Sequence, residues 1–128
     1  MHVTAIAFTG YPVTDISRAR AFYEGVLKLT STTTFEHEGR AWIEYDLGSG
    51  TLAISNMSSE QWKPSSDGPA IALEVEDFDA AIVALRKAGA TFLIEPMDTG
   101  VCQMAIIADP DGNSVCIHKR RPAPPAEG

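Results

Sequence analysis

The sequence predicts an α+β fold in which two tandem βαβββ modules form a cupped mixed β-sheet with a central cavity. Three observations favour it: two amphipathic helix patterns, short strand-like runs around each of them, and a weak internal repeat. A shift of 62 residues places Asp15 on Asp77 and Tyr23 on Leu85. Each module then has one helix to cover one face of its sheet, and the opposite, concave face is left to line the cavity.

The two predicted helices share the same signals. Asp15 is positioned to cap the first, and Asp77 or Asp79 to cap the second, which Gly89 ends. The apolar residues on one face of each helix are Ile16, Ala19, Phe22, Tyr23, Val26 and Leu27 in the first, and Phe78, Ala81, Ile82, Leu85 and Ala88 in the second.

Eight runs read as strands because they are rich in β-branched and aromatic residues and are bounded by turn residues. They are Val3–Tyr11, Ser31–His37, Ala41–Leu47, Leu52–Ser55, Ala70–Val75, Thr91–Ile94, Cys102–Ala108 and Ser114–His118. We expect one domain over residues 1–119, with module 1 at about 3–56, a linker at 57–69 and module 2 at about 70–119. Residues 120–128 have nothing to bury and are predicted to be a disordered tail.

The net charge of −7 comes from ten Lys and Arg residues against seventeen Asp and Glu residues. It would repel a phosphate backbone, so we expect no nucleic-acid partner. No apolar run reaches the roughly 20 residues of a membrane span, and no secretory signal pattern is present, which predicts a cytoplasmic protein without a membrane partner. Cationic or neutral ligands suit the charge, although acidity can equally serve solubility alone.

The two cysteines flank the turn at Asp109–Asn113, whose Pro and Gly suit a tight hairpin and to which we assign no chemistry. A hairpin that pairs Asp109 with Asn113 sets Cys116 opposite Ile106 rather than Cys102. We therefore expect two free thiols.

Strand alternation sorts the residues of the first module by face. If Ile43, Tyr45, Leu47, Leu52 and Ile54 face the helix, the concave face carries Trp42, Glu44, Asp46, Ala53 and Ser55. In the second module Ala70, Ala72 and Glu74 face the cavity. Phe8 and Trp42 with nearby carboxylates suit a flat or cationic organic molecule, through stacking and cation–π attraction of about 0.5 to 2 kcal/mol.

Two simpler interpretations stay open. Phe8 and Trp42 can fill the cavity themselves, with Glu44 and Asp46 as solvated edge charges. Trp62, in the linker, can serve as a lid, form a dimer contact or pack against the sheet edge.

Over about Thr4 to Lys119 the chain resembles the vicinal oxygen chelate superfamily of glyoxalases, bleomycin resistance proteins and dioxygenases. The segments that carry the resemblance are Val13–Leu29, Ala72–Ala81, Ala88–Ala90 and Asp109–Asn113. Their order and spacing are fairly specific, whereas each piece alone is not. The resemblance implies the tandem βαβββ fold and a homodimer, since members of the superfamily often complete each cavity across a two-fold axis.

Metal-using members place one ligand on the first and last strand of each module. Carried over to this chain, the four positions are Phe8, Ala53, Ala70 and Cys116, of which only Cys116 can bind a metal. Because a bound divalent ion needs three or four donor groups, we expect no metal at this position and no cofactor. The alternative is a displaced site of Cys116, His118 and Glu44 or Glu74; His2 and His37 look like terminal and turn residues.

Three functions are compatible with these residues. The first is a small-molecule-binding protein without the usual metal ligands, which sequesters a flat or cationic compound. The second is a metal-dependent lyase, isomerase, dioxygenase or transferase with displaced ligands. The third is a dimeric partner-binding module with a closed cavity. The sequence assigns no catalytic residue, and the predicted cavity residues are Phe8, Trp42, Glu44, Ala53, Ala70, Glu74, Cys116 and His118.

Overall fold

The computed structural model describes residues 1–57 and 60–122, and its elements follow the order strand, helix and three strands twice. They are β1 (Thr9–Pro12), α1 (Ile16–Arg20) with a π-helical continuation (Ala21–Val26), β2 (Thr33–His37), β3 (Arg40–Asp46), β4 (Thr51–Ser55), β5 (Ile71–Glu74), α2 (Phe78–Lys87), β6 (Thr91–Asp98), β7 (Cys102–Ala108) and β8 (Ser114–Arg120). The predicted α+β fold with tandem βαβββ modules is confirmed. No helix of the described part of the chain is long and apolar enough to cross a membrane.

The chain divides into two compact units, and each contains one four-stranded mixed sheet. The first unit comprises the described residues up to Ser65 together with Pro110–Asn113, and the second comprises Ser66–Asp109 and the described residues from Ser114 onward. The strand orders are β1-β4-β3-β2 and β5-β8-β7-β6. In each sheet the first strand of the module pairs in parallel with the last, and the remaining pairs are antiparallel.

In the first unit, the helix packs on the face of the sheet that alternation predicts. Asp15 caps α1 by accepting a hydrogen bond from the Arg18 backbone N–H at 3.0 Å. The buried Tyr23 ring stacks on Tyr45 of β3 with centroids 6.2 Å apart. The predicted register is confirmed for four residues, since Ile43 pairs with Ile54 and Tyr45 with Leu52, and all four side chains are fully buried. Leu47, which was expected on the same face, lies after the end of β3 and is 44% exposed.

The second unit is built in the same way. Asp77, rather than Asp79, caps α2 by accepting from the Ala80 N–H at 3.0 Å, and Gly89 follows the helix with φ of +74°. The helix buries Phe78 and Leu85. The sheet residues buried on the same side include Leu73, Ala105, Ile107, Val115 and Ile117.

The predicted hairpin register around the cysteines is also confirmed. Ile106 pairs with Cys116, and Cys102 pairs with Arg120. Both cysteines are free thiols.

The strand predictions differ from the structure by one or two residues at several ends and by more at two of them. The first strand was expected from Val3, but β1 begins at Thr9, which pairs with Leu52. Because β4 begins only at Thr51, residues before Phe8 have no β4 residue opposite them within this unit. The sixth strand was expected to stop at Ile94 before Pro96, but β6 runs to Asp98 with register shifts on both sides of Ile94. β6 is an edge strand, where Pro is tolerated.

The chain after β8 was predicted to be a tail from residue 120. Arg120 is the last residue of β8, and the Arg121 N–H donates to the Val101 carbonyl at 3.0 Å. Residues 123–128 of the predicted tail lie outside the described residues.

The Asp109–Asn113 turn makes more contacts than its local turn chemistry predicts. The Asp111 carboxylate, with 5% of its side chain exposed, accepts hydrogen bonds from Arg18 Nη2 at 2.9 Å and from the Thr14 backbone N–H at 3.2 Å, and also from the Thr14 hydroxyl. Asn113 donates to the Pro12 carbonyl at 2.7 Å and accepts from the Ser65 N–H at 3.1 Å. These side chains fix the turn to the start of the first helix.

Candidate functional site

The helix-free face of the first sheet, opposite Tyr23, carries an aromatic group. Trp42 of β3 and Phe8, which precedes β1, meet edge to face with ring centroids 5.0 Å apart and an interplanar angle of 86°. Phe8 is 47% exposed and Trp42 is half-buried. Part of this aromatic surface is therefore open to a ligand, in contrast to the fully buried rings on the helix side.

Trp62 joins this group because Gly10 has no side chain. A Cβ placed on Gly10 would lie 3.1 Å from Cζ2 and 3.2 Å from Cη2 of Trp62, and 3.4 Å from Cε2 of Phe8. The Trp62 ring therefore packs against β1, an edge strand of the first sheet. The sequence signal for this contact was the glycine within a strand, which often marks a close approach.

Glu44 is the carboxylate of this surface. Its Oε2 accepts a hydrogen bond from the Trp42 indole Nε1–H at 2.8 Å, so the charge lies beside the ring. Ala53, fully buried, pairs with Glu44 on one side and with Gly10 on the other. We refer to Phe8, Gly10, Trp42, Glu44 and Trp62 as the aromatic face.

The other four predicted cavity residues lie in the second unit. Ala70 immediately precedes β5 and is exposed. Cys116 is 8% exposed and donates a long Sγ–H hydrogen bond to the Ile117 carbonyl at 3.8 Å. Burial raises the pKa of its thiol, which disfavours the thiolate that would bind a metal.

His118 and Glu74 form a bonded pair. They are register partners of the parallel strands β8 and β5, and His118 Nδ1 lies 2.5 Å from Glu74 Oε1. The second carboxylate oxygen accepts from the Arg120 N–H at 2.7 Å. This backbone hydrogen bond, together with the bond to His118, lowers the pKa of Glu74 and keeps it ionised.

Metal-using members of the superfamily that the chain resembles hold a divalent ion, which needs three or four donor groups. Within residues 1–57 and 60–122, no three His, Cys, Asp or Glu residues are grouped so that they could hold a metal ion. The displaced arrangement of Cys116, His118 and a glutamate reduces to the His118–Glu74 pair. These residues do not fit a divalent ion.

A cleft of about 580 Å³ in the second unit lies apart from the predicted residues. It is lined by Glu76, Asp77, Phe78, Asp79, Gln103 and Lys119. Gln103 and Lys119 are register partners, and alternation puts them on the face opposite His118. None of the eight predicted cavity residues lines this cleft.

The topology defines the class of protein, which is a tandem βαβββ protein. The helix-free faces of its two sheets differ, since the first carries aromatic residues and the second carries polar residues. The sequence profile of the Glyoxalase/Bleomycin resistance protein/Dioxygenase superfamily matches residues 3–117. The chain belongs to this superfamily, as its resemblance predicted. A comparison with curated proteins gives no match.

Solved structures of other proteins share the fold. TnmS3, an antibiotic binding protein from Streptomyces sp. CB03234, is similar with a TM-score of 0.77 and 20% identity over 94% of this chain and 99% of that chain. A superfamily member from Sphaerobacter thermophilus DSM 20745 has a TM-score of 0.73 and 20% identity over 92% and 98% of the two chains. A glyoxalase/bleomycin resistance protein from Streptomyces sp. CB03234 has a TM-score of 0.72 and 21% identity over 90% and 100%.

Proposed function

We propose that this protein binds, and thereby sequesters, a flat organic cation on the aromatic face of its first sheet, and that it does so without a divalent metal. The observation that carries the proposal is the hydrogen bond from the Trp42 indole to Glu44 at 2.8 Å, with Phe8 at 5.0 Å from the same ring. An open aromatic ring with a carboxylate at its edge attracts a cation through both the ring quadrupole and the charge.

The geometry of the aromatic face supports a flat ligand in particular. Gly10 lets the Trp62 ring pack closely on β1 beside Phe8, and Phe8 stays 47% exposed, so a planar molecule can approach the aromatic rings from the Phe8 side. The net charge of −7 adds a long-range attraction for cations. That TnmS3, with the same fold, is an antibiotic binding protein agrees with small-molecule binding.

Absence of a divalent metal is part of the proposal and is supported by the donor groups. The family positions carry Phe8, Ala53 and Ala70, none of which has a donor side chain, and a buried Cys116. A divalent ion needs three or more N, O or S ligands. The metal-dependent alternative has no such set in the described part of the chain.

The test compares 9-aminoacridine, which is cationic at neutral pH, with acridine, which is neutral at pH 7.5, by isothermal titration calorimetry. We expect the cation to bind more tightly by about 2- to 30-fold, the range of a cation–π contribution of about 0.5 to 2 kcal/mol. Trp42→Leu should weaken both ligands, because both stack on the indole. Glu44→Gln should weaken only the cation, by about 2- to 5-fold for a partly exposed charge.

Glu36→Gln is the matched control. Glu36 pairs with the buried Ala41, so it lies on the helix side of the same sheet, and its loss changes the net charge equally. If Glu36→Gln and Glu44→Gln weakened binding of the cation equally, net charge alone would explain the attraction. That result would contradict a site at Trp42. No binding of either ligand would contradict the proposal for planar molecules.

By the resemblance to its superfamily, we also propose that the chain forms a homodimer. From its composition, without an apolar run of about 20 residues, we propose that it acts in the cytoplasm. Multi-angle light scattering of the eluting protein measures its mass. A mass of one chain, 13.7 kDa, across a wide concentration range would contradict the dimer.

A further inference from the structure

One row of directly paired residues crosses the second sheet on its helix-free face. Met97 of β6 pairs with Met104 of β7, Met104 pairs with His118 of β8, and His118 pairs with Glu74 of β5. Directly paired residues point to the same face with Cβ atoms about 4.5 to 5.5 Å apart. Two thioethers, one imidazole and one carboxylate therefore lie side by side in this order.

The imidazole of this row is held by its neighbours. With Nδ1 at 2.5 Å from Glu74, the ring directs its Nδ1–H to the carboxylate, and the lone pair of Nε2 is left to bind a ligand. Glu74 is itself held by the Arg120 N–H at 2.7 Å. A carboxylate behind a histidine in this manner is the usual support for a metal-binding imidazole.

The thioethers are accessible rather than part of the core. Met97 is 48% exposed, Met104 is half-buried, and the His118 side chain is 25% exposed. Most core residues of this unit lie on the opposite, helix side of the sheet, where Ala105 and Ile107 are fully buried, whereas Cys116 is buried on the helix-free face. An ion approaching the helix-free face can therefore reach these side chains.

We propose that Met97, Met104 and His118 form a binding site for a soft monovalent metal ion of the Cu(I) class, with Glu74 as the positioning residue. Thioether sulfur and imidazole nitrogen are ligands that select Cu(I), whereas hard divalent cations prefer carboxylate and carbonyl oxygens. The three ligands are neutral, which suits a monovalent ion. The site lies in the second unit and is independent of the proposed function of the aromatic face.

The first test uses Ag(I), a redox-stable probe for Cu(I), and protein labelled with ¹³C at the methionine methyl groups, in chloride-free buffer. Because thiolates also bind soft metals, the background is Cys102→Ser with Cys116→Ala, its folding checked by circular dichroism. The methyl signals of Met97 and Met104 should shift and saturate at one equivalent of Ag(I). The signal of Met57, which lies in the first unit, should stay unchanged.

The second test measures affinity by competition of the same background protein with a chromophoric Cu(I) chelator under anaerobic, reducing conditions. Met104→Leu should weaken Cu(I) binding at least tenfold, and the control Met57→Leu should not. Glu74→Gln, which removes the charge behind His118, should weaken binding by about 10- to 100-fold, as is typical for second-shell partners.

Either of two results would overturn the site. One is that the Met97 and Met104 methyl signals do not move at one equivalent of Ag(I), or move no more than that of Met57. The other is that Met104→Leu and Met57→Leu have the same effect on Cu(I) affinity. Because the labelling experiment leaves all methionines and His118 in place, it decides the question even where Met104→Leu is poorly folded.

Discussion

Removal of the Asp111 carboxylate tests the contacts of the Asp109–Asn113 turn. Asp111 is almost completely buried and accepts from Arg18, from the Thr14 backbone N–H and from the Thr14 hydroxyl. A hydrogen bond to a charged group contributes about 1.5 to 3 kcal/mol net. Thr14 and Arg18 are exposed and regain water when the carboxylate is lost, so the three bonds do not add. We therefore expect Asp111→Ala to lower the free energy of unfolding by about 2 to 3 kcal/mol.

The partners of Asp111 should contribute unequally. Half of the Arg18 side chain is exposed, so its ion pair is screened by water, and Arg18→Ala should lower the free energy of unfolding by less than about 1 kcal/mol. Asp111→Asn keeps an acceptor oxygen for Thr14 but loses the charge, so its effect should be near 1 kcal/mol. Glu60→Ala, which removes an exposed carboxylate elsewhere in the first unit, should stay within about 0.5 kcal/mol.

Urea unfolding followed by circular dichroism gives these free energies, and scanning calorimetry gives the melting temperature. At roughly 4 °C per kcal/mol for a chain of this size, Asp111→Ala should lower the melting temperature by about 8 to 12 °C. The reasoning would be refuted if Asp111→Ala and Glu60→Ala had the same effect. It would also be refuted if Arg18→Ala were as destabilising as Asp111→Ala, since Thr14 would then contribute nothing.

Three further predictions concern titrating groups. The Tyr45 hydroxyl donates a hydrogen bond to Glu24 at 2.9 Å. Burial, followed by this bond, raises the pKa of the phenol. The stabilisation of the fold by the neutral phenol should therefore be full below the ordinary phenol pKa of 10.0 and be lost as pH rises above it. Tyr45→Phe should lower the free energy of unfolding by about 1 to 2 kcal/mol in urea at pH 7 and remove much of the alkaline loss; an unchanged loss would contradict this cause. The hydrogen bond from Arg20 at 2.6 Å lowers the pKa of Glu24, so the stabilisation should be present above the ordinary carboxyl pKa of 4.5 and be lost as pH falls below it. Glu24→Gln should therefore flatten the acid side of the stability curve, and an unaltered curve would show that other groups cause it. Since burial raises the pKa of the Cys116 thiol, iodoacetamide should modify the half-buried Cys102 first, as followed by mass spectrometry, and equal rates would contradict this order.

The parts of the fold that the sequence predicted are those governed by local or two-residue periodicity. The Asp77 cap, the end of α2 at Gly89 and the pairing of Cys116 with Ile106 each follow from residues close together in the chain. The ends of β1 and β6 were not predicted, because the end of a strand is set by its partner. β4 is too short to pair with the residues before Phe8, and the edge position of β6 tolerates Pro96.

The sequence predicted that site residues lie together only where those residues belong to the same strand. Trp42 and Glu44 are two residues apart on β3, so alternation alone places them together. The contact of Trp62 with Gly10 joins residues that no periodicity connects, and only the glycine within the strand marked it. The row of Met97, Met104 and His118 requires the shifted register of β6, which bulges produce and a sequence pattern does not show.

The two proposed sites overlap at one position of the internal repeat, that of Trp42 and Met104. In the first sheet one row runs through Pro12, Ser55, Trp42 and Phe35, and in the second the matching row runs through Glu74, His118, Met104 and Met97. Trp42 and Met104 are separated by 62 residues, the same shift that superimposes Asp15 on Asp77.

The residues on the helix sides of the two sheets differ much less in chemistry than the residues on the helix-free faces. Ile43 and Tyr45 in β3 correspond to Ala105 and Ile107 in β7, and all four are buried. A core position must stay apolar to keep its module folded, whereas an exposed residue on the helix-free face can change its chemistry at little cost in stability. The internal repeat therefore builds the same arrangement of sheet and helix twice. One copy can carry an aromatic surface for an organic cation and the other a thioether surface for a soft metal, because the two copies differ mainly in the chemistry of their helix-free residues.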